Sequence, residues 1–236
     1  MPRFSANLSM LFAEHDFLDR FDAAARAGFK AVEYLGPYDH PAETVAARLK
    51  KNGLEQVLFN LPSGDWAAGE RGIAVLPDRV GEFRANVDTA IAYAKALGCG
   101  QVNCLAGIAP AGADRAGLEH IFVENLKFAA DKLEKAGVKL LIEAINTRDI
   151  PGFFLTTSDQ ALAIIDSVGS KNLFFQYDIY HMQIMEGDLA RTMEANLSRI
   201  AHIQLADNPG RHEPGTGEIN YPFLYEFIDR IGYYGW

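Results

Sequence analysis

Cysteine is nearly absent: the 236 residues hold only two, Cys99 and Cys104. They flank one strand-like run, so at about 3.3 Å per residue their Cα atoms lie roughly 16 Å apart, beyond disulfide reach. Two cysteines without neighbouring histidines build no zinc framework either. Both read as small buried hydrophobes. Long apolar runs are missing too. No stretch reaches the roughly 18 residues of a membrane span, and Met1-Pro2-Arg3-Phe4-Ser5 lacks the apolar core of a secretion signal. Basic charge is scarce, with 22 Lys and Arg against 31 Asp and Glu and a net charge of −9. That balance argues against the basic face a nucleic-acid partner requires. The 49% of hydrophobic residues supply ample core and exclude disorder. The expectation is a cytoplasmic single domain over residues 1–236, with no membrane or nucleic-acid partner and with homo-oligomerisation left open.

What is present is a repeated alternation. Strand-like runs occur at Phe4–Ser9, Phe29–Tyr34, Leu54–Asn60, Gly100–Leu105, Val138–Asn146, Asn172–Asp178 and Ile200–Leu205. Helical patterns lie between them: Val80, Phe83, Val87, Ile91, Ala94 and Leu97 are spaced by three and four, as are Leu118, Ile121, Phe122, Leu126, Ala129 and Leu133. Gly28, Gly53, Gly98 and Gly137 sit where helices should stop, and Asp114 and Ser158 where two should start. Strand alternating with helix means crossover units and parallel pairing. No Gly-rich phosphate fingerprint follows the first strand, so a dinucleotide-binding open sheet loses ground.

The alternation within strands separates the remaining architectures. One parity carries Ser5, Asn7, Glu33, Gln56, Asn60, Gln101, Asn103, Glu143, Gln176, Asp178, His202 and Gln204; the other is apolar. A sheet sandwiched between helix layers would be apolar on both faces. A (β/α)₈ TIM barrel, with a lumen that opens into a site at the strands' C-terminal ends, accounts for the split.

Glu143, Asp178 and Gln204 close three successive strands on the lumen parity. Two carboxylates and an amide oxygen form a hard set suited to Mg²⁺ or Mn²⁺; as ordinary polar lining they would satisfy one another instead. Two long loops rise at the same end. Leu61–Pro77 carries Trp66, Glu70 and Arg71, and Ala206–Asn220 carries Arg211 and His212. Loops of this length usually act as lids or binding loops. Their cations, otherwise plain solvated charge, imply a substrate with its own negative group. His181, three residues past Asp178, stands at the height of a substrate oxygen, whereas His202 reads as a hydrogen-bonded core histidine.

Four segments carry a resemblance: Ser5–Phe12, Asp65–Ala74 (DWAAGERGIA), Tyr177–Gln183 (YDIYHMQ) and Glu213–Tyr221 (EPGTGEINY). Over the full length the chain resembles the hydroxypyruvate isomerase family, and more distantly the xylose isomerase-like barrels that include ketose 3-epimerases. The resemblance implies a divalent metal held by Glu143, Asp178, Gln204 and a Glu on an eighth strand. The two Glu residues would form the acid/base pair, and Arg71, His181 and Arg211 would hold a small hydroxy- or oxo-acid. Many of the wider relatives carry His where Gln204 stands. The implied reaction interconverts hydroxypyruvate and tartronate semialdehyde through an enediolate. A 2-oxo-tetronate isomerase or ketose 3-epimerase would use the same chemistry. A metal-dependent endonuclease and a non-catalytic sugar-acid binder are the remote alternatives, the first disfavoured by the acidic charge. Only seven strands are legible, so an eighth strand carrying the second catalytic Glu is expected beyond Trp236.

Overall fold

Each predicted strand and its following crossover is present in the computed structural model, which describes residues 1–236. The strands are β1 (Ala6–Asn7), β2 (Ala31–Tyr34), β3 (Glu55–Asn60), β4 (Gln101–Cys104), β5 (Lys139–Glu143), β6 (Leu173–Asp178) and β7 (Ile200–Gln204). The helices are α1 (Phe17–Arg26), α2 (Ala42–Asn52), α3 (Val80–Leu97), α4 (Arg115–Lys135), α5 (Ser158–Val168), α6 (Ile179–Met185), α7 (Leu189–Ala195) and α8 (Tyr221–Arg230). All seven strands pair in parallel, in chain order.

Local chemistry sets the helix ends. Gly53 and Gly98 adopt φ of +61° and +66°, and their N–H groups return to carbonyls of the last turn of α2 and α3; a side chain would strain this left-handed geometry. Asp114 caps α4, its carboxylate accepting from the N–H groups of Ala116 and Gly117. The start of α5 corrects the sequence reading. Thr157, not Ser158, is in the extended conformation a cap requires and accepts from the Gln160 N–H. Ser158 lies one residue inside and donates its hydroxyl to Glu186. The β6–β7 crossover was not legible as helix: it is split into α6 and α7, which are too short to show a period.

The outward strand residues and the inner helix faces merge into one cluster of 56 buried side chains, with Phe21, Val32, Phe59, Phe83, Phe122 and Phe175 among its members. The inward residues meet one another. Gln101 of β4 touches His202 of β7 at 3.3 Å, and His202 touches Glu33 of β2 at 2.6 Å. Contact between strands so far apart in sheet order requires the sheet to curl on itself, as a barrel does. Two bulges adjust the curl. Val32 and Glu33 pair with Gln56 and Leu58, and Phe175 and Gln176 with Ile200 and His202, leaving Val57 and Ala201 as the extra residues. Both were expected on the outer face. The bulges turn them instead onto the lumen-floor group of Ala31, Leu58 and Leu141, against which Trp236 also packs.

The curl stops short of closure, since β1 pairs only with β2 and β7 only with β6. A groove of about 820 Å³ lies between them, lined by Phe4, Asn7, Glu33, Asp178, Gln204 and Tyr233 among others. The last residues do not enter it as a strand. The Arg3 guanidinium donates to the Tyr234 carbonyl and lies 4.8 Å from the Trp236 ring centre, while Trp236 Nε1 donates to Glu55. No helix is long and apolar enough to cross a membrane. Cys99 and Cys104 are both free and buried.

Candidate active site

Period two places alternate residues of each strand inside the barrel, and the last inward residue of each strand lies highest, at the mouth. Glu143 ends β5 and is 5% exposed. Its Oε2 accepts from Asn103 Nδ2 at 3.0 Å, and the same amide donates to Asn60 at 3.1 Å. Asp178 ends β6 and caps α6, with Oδ1 accepting from the N–H groups of Tyr180 and His181. Oδ2 is left facing the mouth. Burial, reinforced by the Asp178 charge, raises the Glu143 pKa well above the ordinary carboxylate range.

His181 and Arg211 complete this side. The buried His181 places Nε2 3.8 Å from Glu143 Oε1 and 3.5 Å from Asp178 Oδ2. Burial lowers its pKa and favours the neutral ring. Arg211 rides on the β7–α8 loop with its guanidinium 5.1 Å from the Tyr180 ring centre, 3.3 Å from His181 Nε2 and 3.8 Å from Asp178 Oδ2. The loop's frame is Asp207, fully buried, whose carboxylate accepts from the N–H groups of Asn208, Gly215 and Ile219.

Gln204 faces the carboxylates from β7. Its Nε2 donates to Glu33 Oε1 at 2.6 Å, and its Oε1 accepts from Gln176 at 2.8 Å. Glu33 accepts also from His202 at 2.6 Å and Asn7 at 3.0 Å. Burial pushes its pKa up, but the His202 charge and these hydrogen bonds outweigh it and hold it below normal. A carboxylate only accepts, so Glu33 turns the Gln204 amide to leave its oxygen toward the lumen.

Ligand atoms of Glu143, Asp178 and His181 lie within 4.8 Å of one another. Two buried carboxylates this close repel, and a divalent cation between them would relieve both charges. The two carboxylates, with the Gln204 oxygen on the neighbouring strand, therefore fit a metal.

Of the residues read from the sequence, the structure brings together Glu143, Asp178, Gln204, His181 and Arg211. Arg71 lies elsewhere. Its guanidinium stacks 3.8 Å from the Trp66 ring centre and donates to the carbonyls of Trp66 and Glu70, so it organises its own loop and does not line the groove. Glu33, Asn103, Asn146 and Gln176 also belong to the site, although spacing in the sequence does not single them out. Three of them sit on the polar strand parity, which was the available signal; Asn146 follows β5 in the loop and had none.

Comparison with known proteins agrees with this geometry. Residues 21–236 match the family model described as xylose isomerase-like TIM barrel. The chain is 56% identical to the hydroxypyruvate isomerase of Escherichia coli, covering all of this chain and 92% of that one. It is 53% identical to the 2-oxo-tetronate isomerase of Cupriavidus necator, covering all of this chain and 91% of that one. Among solved structures, one titled AP endonuclease, family 2, from Brucella melitensis superposes with a TM-score of 0.98 at 49% identity, over all of this chain and 91% of that one.

Proposed function

Because the chain belongs to the xylose isomerase-like TIM barrel family, we propose that it is a cytoplasmic isomerase interconverting hydroxypyruvate and tartronate semialdehyde. The observation that carries the reading is the buried Glu143–Asp178 pair facing His181 and Arg211, in a chain 56% identical to a protein named for that reaction. The two compounds differ in which of two neighbouring carbons holds the carbonyl. A proton must leave the hydroxyl-bearing carbon, and one must arrive on its neighbour. A carboxylate within reach of that carbon performs such a transfer, worth about 10²–10⁴ in rate.

Glu143 is one of the two proton-transfer groups in this reading. The enediolate that forms between the two transfers has negative charge on adjacent oxygens. His181 and Arg211 donate to those oxygens or to the substrate carboxylate, beside the buried Glu143–Asp178 pair where a low local dielectric strengthens such bonds. Glu143, Asp178 and Gln204 would hold Mg²⁺ or Mn²⁺; when bound, the cation supplies Lewis-acid stabilisation of the same charge.

A four-carbon substrate is the second reading, favoured by the 53% identity to a 2-oxo-tetronate isomerase. Three- to six-carbon oxo acids and ketoses offered to the purified protein separate the two. Preferred turnover of hydroxypyruvate supports the first reading, preferred turnover of 2-oxo-tetronates the second. No turnover of any of them would overturn both.

A further inference from the structure

His181 Nε2 faces the reaction site, so whether it carries a proton decides what it does there. A neutral imidazole with Nε2–H donates to a substrate oxygen; with Nδ1–H instead, Nε2 offers a lone pair and suits a metal ion. The chain's own hydrogen bonds choose between these two forms, and the choice is made at Asn146.

Asn146 is completely buried in the loop after β5. One end of its amide meets two backbone N–H groups, Arg148 at 3.0 Å and Asp149 at 2.8 Å. Both are donors, so that end is the oxygen. The other end meets Asp149 Oδ2 at 3.1 Å, an acceptor, so it is the NH₂. The amide therefore cannot turn over without breaking three bonds. The NH₂ end also lies 2.7 Å from His181 Nδ1. A nitrogen facing a donor at that distance accepts, and so carries no proton. The neutral ring's single proton is then on Nε2, and a doubly protonated ring is excluded by the same contact.

On the other side of the ring, Arg211 approaches Nε2 at 3.3 Å, and arginine only donates. One neutral ring cannot accept from both sides. The shorter contact, with its orientation locked, prevails. The Nε2–H and the Arg211 N–H groups are thus two donors converging on one place, with Asp178 Oδ2 at 3.5 Å from one and 3.8 Å from the other. Such a convergence suits an incoming anionic oxygen. Metal-binding histidines normally donate their second N–H to an acceptor; here the second nitrogen meets a donor.

We propose that Asn146 is a positioning residue that fixes His181 as the Nε2–H tautomer, making His181 a hydrogen-bond donor to the substrate's developing oxyanion and excluding it from the metal's ligands. This rests on the isomerase reading for its catalytic part, whereas the tautomer is a property of the protein alone. Long-range ¹H–¹⁵N correlation of histidine-labelled protein reports it directly, with His181→Gln identifying the signal. Wild type is expected to show protonated Nε2 and bare Nδ1. Asn146→Asp keeps an acceptor for the two backbone N–H groups but turns an acceptor toward Nδ1, so the proton is expected to move there. Its kcat should fall about 100-fold or more, the scale of a lost proton donor, with a smaller change in KM. Should that variant fail to fold, Asn146→Ala removes the donor and lets Arg211 claim Nε2, with the same direction of change.

Nδ1–H in the wild type overturns the proposal. So does an unshifted tautomer in a folded variant, or a shifted tautomer with unchanged kcat. Nε2–H in a protein that turns over no oxo acid removes the isomerase reading and retains the tautomer.

Discussion

Glu143 and Glu33 are both buried lumen carboxylates, 5% and 4% exposed, yet their surroundings push them in opposite directions. Glu143 holds its proton more tightly folded than unfolded. In chelator-treated protein its contribution to stability is therefore full below the unfolded pKa of about 4.3 and is lost as pH rises toward the raised folded value, at about 1.4 kcal/mol per pH unit. Urea midpoints taken from pH 5 to pH 8 should fall in the wild type and stay flatter in Glu143→Gln; equal slopes would contradict the burial argument. Glu33 is lowered, so its contribution is present above the unfolded pKa and is lost only as pH falls below it. Its task is to orient Gln204. Glu33→Gln frees that amide to turn, and Mn²⁺ affinity measured by calorimetry should weaken about 10- to 100-fold, the usual scale for groups that orient metal ligands; unchanged affinity would exclude the role. The carboxylates at strand ends were legible because parity alone placed them inside. Asn146 was not, since its part depends on which end of an amide faces which neighbour, and spacing carries no such information.

At the scale of elements, strands are legible in the sequence to within one to three residues, the widest miss being the run to Asn146 where β5 ends at Glu143, and loops hardly at all. Strands have a period that burial enforces, whereas the two long loops are shaped by single contacts. Arg71 illustrates the difference: a cation over the mouth in sequence, it is held by Trp66 five residues earlier. The β7–α8 loop depends on Asp207, which gathers three backbone N–H groups in a fully buried position. Asp207→Ala leaves these donors unpaired at about 1–3 kcal/mol each where they stay dry. Arg211 loses its frame with them. Thermal denaturation should show a lower Tm, and KM for the acid substrate should rise by more than kcat falls. A variant with wild-type KM would show that Arg211 is placed by other contacts.

For the molecule as a whole, the polar lumen and apolar exterior predicted a barrel, and seven of its strands curl into one with the β1 and β7 edges unpaired. Unpaired parallel edges expose backbone groups that barrels normally satisfy. A strand seated there would close the lumen and could bring a second carboxylate opposite Glu143. Metal belongs to the same account: exhaustive chelation of the protein should lower turnover, and Mg²⁺ or Mn²⁺ should restore it. The most direct measurement follows hydroxypyruvate by NMR in D₂O with wild type and Glu143→Gln side by side. The account predicts tartronate semialdehyde from the wild type, with solvent deuterium on the carbon that receives the proton, and a rate lower by orders of magnitude in the folded variant. Wild-type conversion by Glu143→Gln, or no conversion by the wild type, would contradict it.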